Sequence, residues 1–299
     1  MTPNGTESVP SRPPVRGRAQ CENVMPESIQ RIPVASNFEA VSPVKPLAPY
    51  IGGKRALARR LIALINATPH QTYAEVFVGM GGVFLRRDRR PPSEVINDWS
   101  EDVSTFFRVV QHHYVPFLEY MRHQVTSRAG FEKLLALEPA SLTDIQRSAR
   151  FLYLQRLAFG GKVSGRTFGV KPDRSAGFDV TKLGPMIDAV HERLAGVVIE
   201  RLQWADFIAR YDRPGTLFYL DPPYFGNEGD YGAALFDRSQ FELMADQLGQ
   251  IKGRFILSLN DHPEVRRIFA AFDFQQEDLT YTVGGGGKAK RVSELIITG

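Results

Sequence analysis

Residues Thr216 to Tyr224, T-L-F-Y-L-D-P-P-Y, constrain the fold of this chain more than any other stretch. Leu217, Phe218, Tyr219 and Leu220 make a short apolar run of the kind that becomes a strand buried on both faces. Pro222 and Pro223 follow, and a residue without an N–H cannot continue a ladder, so the strand must stop there. In open α/β sheets, ligands bind at the carboxyl edge of such strands. Asp221, two rigid backbone units and the Tyr224 ring are therefore delivered together at that edge. Asp221 and the Pro222 carbonyl can accept the two hydrogens of an exocyclic amine on a flat ring, and Tyr224 offers a face for stacking. An aromatic amine is a poor nucleophile because its lone pair is delocalised. Two acceptors on its hydrogens favour a pyramidal nitrogen and free that pair, most strongly in the transition state. A structural Asp-Pro turn at a strand end is the plainer reading of the same residues.

Upstream, Pro49-Tyr50-Ile51-Gly52-Gly53-Lys54 places two glycines and a lysine before a helix with apolar positions Leu57, Leu61, Leu64 and Ile65. It is not a phosphate-binding P-loop, because the earlier glycine and the following Ser or Thr are absent. A tight turn before a surface helix is its alternative reading. Next, Tyr73 to Val78 reads as a strand, Gly79, Gly81 and Gly82 as a turn, and a helix start follows. That is the nucleotide cradle of doubly wound folds, without the G-x-G-x-x-G spacing of a dinucleotide site. About twenty residues on, the strand Glu94-Val-Ile-Asn-Asp98 ends in an acid, where a carboxylate grips ribose hydroxyls; a helix cap is the alternative. Asp206, just past the strand Val197–Leu202, is a further acid available to the same crevice.

Charge adds a partner. The net charge is +4, but residues Gln111 to Lys182 hold 11 Lys and Arg against 6 Asp and Glu, so the basic excess is local. Within that segment a helix over Leu142–Phe159, capped by Thr143 or Ser141, runs into Gly160-Gly-Lys-Val-Ser-Gly-Arg-Thr-Phe-Gly-Val-Lys. Lys162, Arg166, Lys171 and Arg174 alternate there with glycines and Phe168, as a β-ribbon or loop entering a DNA groove would need. A solvated basic loop fits the spacing equally well. Near the carboxyl end, G-G-G-G-K-A-K-R brings Lys288, Lys290 and Arg291 to the expected tip of a terminal hairpin, within reach of phosphates. Phe225 to Gly232 reads as a lid over the site. The single cysteine, Cys21, excludes an internal disulfide and a cysteine-based zinc site. With no apolar run of about 18 residues and no secretory apolar core, the expectation is a cytoplasmic protein. Residues 1 to 45, proline-rich and aperiodic, read as a disordered extension.

Taken together, P-Y-I-G-G-K, A-E-V-F-V-G-M-G-G-V-F, I-N-D, A-D-F and D-P-P-Y resemble, in order, the motifs of the Dam-type N6-adenine DNA methyltransferases in their alpha arrangement. The resemblance runs from about Leu47 to Ile297. It implies a Rossmann-like doubly wound α/β sheet of seven strands, formed by residues 46–110 and 183–299, with a mainly helical target-recognition insert at 111–182. It implies S-adenosylmethionine as cofactor, lined by Tyr50, Lys54, Phe77 and Gly79, with Asp98 on the ribose and Asp206 on the cofactor adenine. Asp221 would touch cofactor and target base, and Asp221, Pro222, Pro223 and Tyr224 would act on an adenine flipped from double-stranded DNA, without a metal. Arg156, Lys162, Arg166, Lys288 and Arg291 would face the nucleic acid. The chain departs from the family at Gln155-Arg-Leu-Ala-Phe-Gly-Gly, where N-R-T-C-F-N-G is common, and at Val76, where proline is common; a GATC specificity is not carried across. An N4-cytosine or protein-glutamine methyltransferase, and a silent DNA-binding relative, are the competing readings. Asp221 favours adenine, because those relatives more often have Ser or Asn at that position.

Overall fold

In the computed structural model, which describes residues 37–50, 52–169, 176–226, 236–281 and 290–299, Thr216–Leu220 is a strand buried at every position. It is the fourth strand, β4, of a seven-stranded sheet. The others are β1 (Thr72–Glu75), β2 (Ser93–Asn97), β3 (Val198–Glu200), β5 (Arg254–Asn260), β6 (Asp273–Tyr281) and β7 (Lys290–Thr298). Their spatial order is β3-β2-β1-β4-β5-β7-β6. β7 pairs antiparallel with β5 and β6, and the remaining pairs are parallel. This is the Rossmann-like, doubly wound arrangement. The chain winds outward from β1 to β3 and returns to β4, so the switch point lies between β1 and β4.

Nine helices lie among the described residues: α1 (Ala58–Ala67), α2 (Glu101–His112), α3 (Tyr114–Arg122), α4 (Arg128–Ala136), α5 (Asp144–Leu157), α6 (Val180–Arg193), α7 (Trp204–Tyr211), α8 (Ser239–Leu248) and α9 (Pro263–Ile268). Successive β4 residues feed opposite faces, as the period of two requires. Leu217 and Tyr219 join Tyr73, Ile96 and Ile256 against α1, α2 and α6. Phe218 and Leu220 join Ala74, Val95 and Leu257 against α7, α8 and α9. The first cluster continues without a break into α3, α4 and α5 through Phe117, Phe131 and Phe151. α5 begins at Thr143, whose side chain accepts from the Gln146 N–H while Gln146 caps in return, a reciprocal box. None of the described helices is long and apolar enough to cross a membrane.

One sequence expectation meets a different local structure, another resolves to one of its two expected forms, and others fall partly outside the described residues. Residues 37–45, read from composition as part of the extension, lie against the body. Glu39 and Ala40 pair antiparallel with Arg90 and Arg89, and the Val41 and Val44 N–H groups donate to Asp88 and Leu85 carbonyls at 2.9 and 2.7 Å. Most of the expected extension lies outside the described residues. The basic segment after α5 is a bridged loop over its described part, held by one isolated bridge, Ala158 with Phe168. Gly160, Gly161 and Gly165 take φ of 69°, 68° and 58°, curling the chain where a ribbon would have to run straight. Lys171 and Arg174 lie outside the described residues. The β6–β7 hairpin is present as expected, with Tyr281 opposite Lys290, but its tip, including Lys288, is not described. Arg291 lies in β7 opposite Thr280, and the expected lid beyond Gly226 is also outside the described residues.

Beneath the first face, Glu94 in β2 receives Arg193 of α6 through two bonds, at 2.6 and 2.8 Å, and Arg87 at 2.7 Å. All three side chains are almost fully buried. Arg87 also stacks over the Tyr73 ring, 3.8 Å from its centroid. Removing the carboxylate would strand two guanidinium groups in an apolar interior. Glu94→Ala should therefore cost about 3–5 kcal/mol of unfolding free energy, measured as a shift in the denaturation midpoint at unchanged slope.

Candidate active site at the carboxyl edge of the central strands

Register sets the site. Glu75 in β1 is opposite both Tyr219 in β4 and Ile96 in β2. The residues two further along, Phe77, Asp221 and Asp98, therefore leave the sheet at one level, on either side of the switch point. They line a cavity of about 1080 Å³ shared with Tyr50, Gly53, Lys54, Glu75, Gly79 and Pro223. The volume suits a ligand of nucleoside size with room for a second ring.

The glycine turn and Asp98 form one wall. Gly79, at φ 51°, packs against the Tyr50 ring, and a Cβ on it would sit 3.0 Å from that ring. Its N–H donates to Asp98 Oδ2 at 2.9 Å, and Ser100 N–H donates to Asp98 Oδ1 at 2.9 Å. Each carboxylate oxygen keeps capacity for a further donor. Burial pushes the Asp98 carboxyl up to about 6, against the opposing pull of those two backbone bonds.

The opposite wall is built around Lys54, which is 1% exposed. Its Nζ lies 3.0 Å from Asp221 Oδ1, 2.7 Å from the Tyr224 hydroxyl and 3.1 Å from Glu294 Oε2. The same ammonium sits 4.2 Å from the centroid of the Tyr224 ring. The Tyr224 hydroxyl donates to Glu294 Oε1 at 2.5 Å. Ser258 of β5 donates to Asp221 Oδ1 at 3.1 Å and is itself 3.0 Å from the Tyr219 hydroxyl. Burial raises the Asp221 carboxyl to about 6; Lys54 opposes that rise and Glu294 adds to it. Asn260, two residues past Ser258 on the same face, grips the strand exit. Its Oδ1 accepts from Phe225 N–H at 2.9 Å and its Nδ2 donates to Phe225 O at 3.1 Å.

The structure thus gathers Tyr50, Lys54, Phe77, Gly79, Asp98, Asp221 and Pro223 around one cavity. Pro222 is buried and Tyr224 half-buried, neither in the lining, and Tyr224 meets the site through Lys54. Asp206 stands exposed in the first turn of α7 and is outside the lining. Arg156 does line the cavity, but its Nε donates to Gly177 O at 2.7 Å and its guanidinium also bonds the Leu47 carbonyl. Arg166 donates to Gln155 Oε1 and Lys162 O, both at 3.2 Å, whereas the Lys162 side chain is exposed. Three participants escaped the sequence reading. Glu294 is a single buried acid just ahead of the apolar run Leu295–Ile297. Glu75 is a buried acid ending β1. Gln155 uses Nε2 to hold the Pro49 and Gly161 carbonyls at 2.9 and 2.7 Å, clamping the loop before Lys54 to α5. For the first two, a carboxylate within or at the head of an apolar run was the available signal.

Among the described residues no group of three or more His, Cys, Asp or Glu could hold a metal ion. The family model described as D12 class N6 adenine-specific DNA methyltransferase matches residues 50–283. The Type II methyltransferase M.CviBI of Paramecium bursaria Chlorella virus NC1A is 18% identical over 247 residues, covering 80% of this chain and 91% of that protein. Two solved structures match at a TM-score of 0.36, too low to bear on fold or function. One is PH1948 of Pyrococcus horikoshii, provisionally an RNA methyltransferase (9% identity, 86% of this chain and 92% of that one). The other is a precorrin 8w decarboxylase of Methanobacterium thermoautotrophicum (14% identity, 87% and 100%). By its match over most of its length, this chain belongs to the D12 class of N6 adenine-specific DNA methyltransferases.

Proposed function

We propose that the cavity binds S-adenosylmethionine between Tyr50, Gly79 and Asp98, and that Asp221, the Pro222 carbonyl and Tyr224 hold a flipped-out adenine of duplex DNA beside it. Family membership supports the cofactor and the DNA substrate, and it argues against the cytosine and glutamine alternatives. The observation that carries the assignment of residues is the common level at which Phe77, Asp98 and Asp221 leave the sheet on the two sides of the switch point.

The residues fit such a cofactor. The glycine turn has no space for a Cβ against Tyr50, so backbone comes close to whatever occupies the cavity. Asp98 is oriented by two backbone donors and can accept from vicinal hydroxyls. When bound, S-adenosylmethionine supplies a sulfonium methyl group for in-line displacement. Asp221 accepts one N6 hydrogen and the Pro222 carbonyl the other, sharpening the lone pair that attacks. Lys54 holds the Asp221 carboxylate in place from the side, at 3.0 Å. Positioning of this kind contributes as lost translational freedom and as preorganised acceptors. Extruding the base costs a few kcal/mol, which stacking on Tyr224 helps to offset. Phosphate contacts fall to the exposed Lys162 rather than to Arg156, whose guanidinium is turned onto the Gly177 and Leu47 carbonyls.

Asp221→Ala should lower methylation of duplex DNA by on the order of 10²–10³-fold, with the circular dichroism spectrum retained; tritiated methyl transfer into N6-methyladenine measures it. Because burial holds Asp98 and Asp221 near 6, both are ionised acceptors above that pH and lose an acceptor oxygen on protonation below it. kcat/KM should fall as pH drops through about 6, with a limb steeper than one proton, in a pH–rate profile between 5 and 8. Lys162→Ala should weaken DNA binding across sequences and reduce the salt slope by about 1, read from log Kd against log salt.

A further inference from the structure

We infer that Glu294, which belongs to none of the sequence motifs, is a positioning residue for methyl transfer: one carboxylate fixes both the Lys54 ammonium beside Asp221 and the Tyr224 phenol. This rests on the reading that Asp221 and Tyr224 hold the target base. Glu294 is fully buried in β7, followed by Leu295, Ile296 and Ile297, all buried as well. An ionised carboxylate in such a place is costly unless it is paired and hydrogen-bonded. Its partners are groups of the site itself, Tyr224 on Oε1 at 2.5 Å and Lys54 on Oε2 at 3.1 Å.

β7 is the antiparallel strand, and its Glu294 pairs with Asn260, where β5 ends. That register carries the acid to the carboxyl edge of the sheet, although β7 itself runs the opposite way. Two mechanical consequences follow. The Tyr224 ring is tethered at its hydroxyl as well as through the Pro223 backbone, so its plane is set before a base arrives. Lys54 is drawn toward Glu294 as much as toward Asp221, which leaves Asp221 capacity to accept from an incoming amine. The charged and titratable groups around Asp221 are Lys54 ahead of α1, Glu75 of β1, Tyr219 of β4 and Glu294 of β7, with Ser258 of β5 as a neutral donor. Among them Glu294 acts to raise the Asp221 carboxyl, by like charge.

Glu294→Gln keeps the volume, removes the charge and cannot accept from both partners through carboxylate oxygens. The variant should lose about 10–100-fold in kcat, a range typical of a displaced catalytic group, while KM for S-adenosylmethionine changes much less. Its acid limb should move to lower pH than in the wild type, since a negative neighbour of Asp221 is gone; a purely structural carboxylate would leave that limb where it was. Glu294→Asp, which keeps the charge but shortens the reach, should lose kcat with the limb unmoved. Folded Glu294→Gln with wild-type kcat and an unmoved limb overturns the inference. If that variant does not fold, Tyr224→Phe decides: the ring stays, the tether goes, and kcat should fall about 10-fold, wild-type turnover overturning the inference. Asp221→Ala assayed alongside separates the two levels. Undiminished methylation there removes the base-holding reading and this inference with it. A dead Asp221→Ala beside unaltered Glu294→Gln and Tyr224→Phe removes this inference alone.

Discussion

A buried ammonium holds this site together. Lys54 is withdrawn from water almost completely, and such a cation survives in a protein interior only when acceptors replace its hydration. Here the acceptors come from separate parts of the chain: Asp221 and Tyr224 after β4, and Glu294 in β7. None of these strands contacts the Lys54 loop in sequence. The ammonium therefore ties the two ends of the fold at the one place where the sheet opens. It also explains why the loop before α1 cannot be a phosphate cradle. Its lysine is turned inward toward carboxylates, where an anionic ligand would be repelled and a sulfonium tolerated.

How much of this could be read from residues alone depended on whether the relevant force was local. The apolar run Leu217–Leu220 stopped by prolines declared a central strand, because burial on both faces and a missing N–H are properties of the segment itself. Gly79 and Asp98 were legible through spacing, since a turn and a following strand end must lie side by side in a parallel pair. Glu294 was not. It lies 240 residues from Lys54, and its strand order, β7 inserted between β5 and β6, is decided by tertiary pairing. The same limit explains Arg156 and Arg166. Counting cations located a basic segment, but not which guanidinium groups would turn inward onto carbonyls and an amide. Lys162, with the same formal charge, faces water. Asp206 illustrates the converse: a motif match gave it a place near the ligand, yet on α7 it points to solvent.

The departure at Gln155 takes on a meaning that its neighbours in sequence do not suggest. As an asparagine in the family's usual run, a side chain at that position would be one methylene shorter. Gln155 spans from the buried face of α5 to two carbonyls, Pro49 and Gly161, and accepts from Arg166 in return. It therefore couples the loop before Lys54, the glycine turn after α5 and the basic loop in a single amide. The helices α3 to α5 with their following loop and the cavity at the sheet edge are joined by hydrogen bonds as well as by the continuous apolar cluster beneath them.

The carboxyl groups of the cavity are sorted by their surroundings rather than by their type. Glu75, deepest of them, is pushed up to about 8 by burial, with Asp221 adding to the rise and Tyr73 and Arg87 opposing it. Asp221, which keeps some exposure and has Lys54 at 3.0 Å, is held nearer 6. At neutral pH the first is thus a neutral acid and the second an ionised acceptor, within one cavity. Separation of this kind assigns roles, since the ionised group can accept from an amine through either oxygen whereas the neutral acid keeps one oxygen as a donor. It also limits repulsion: with Glu75 protonated, the buried negative charge beside Asp221 is that of Glu294, and the Lys54 ammonium lies between the two. Neutralising Glu75 leaves Asp221 and Glu294 to share one lysine without a third buried charge beside them.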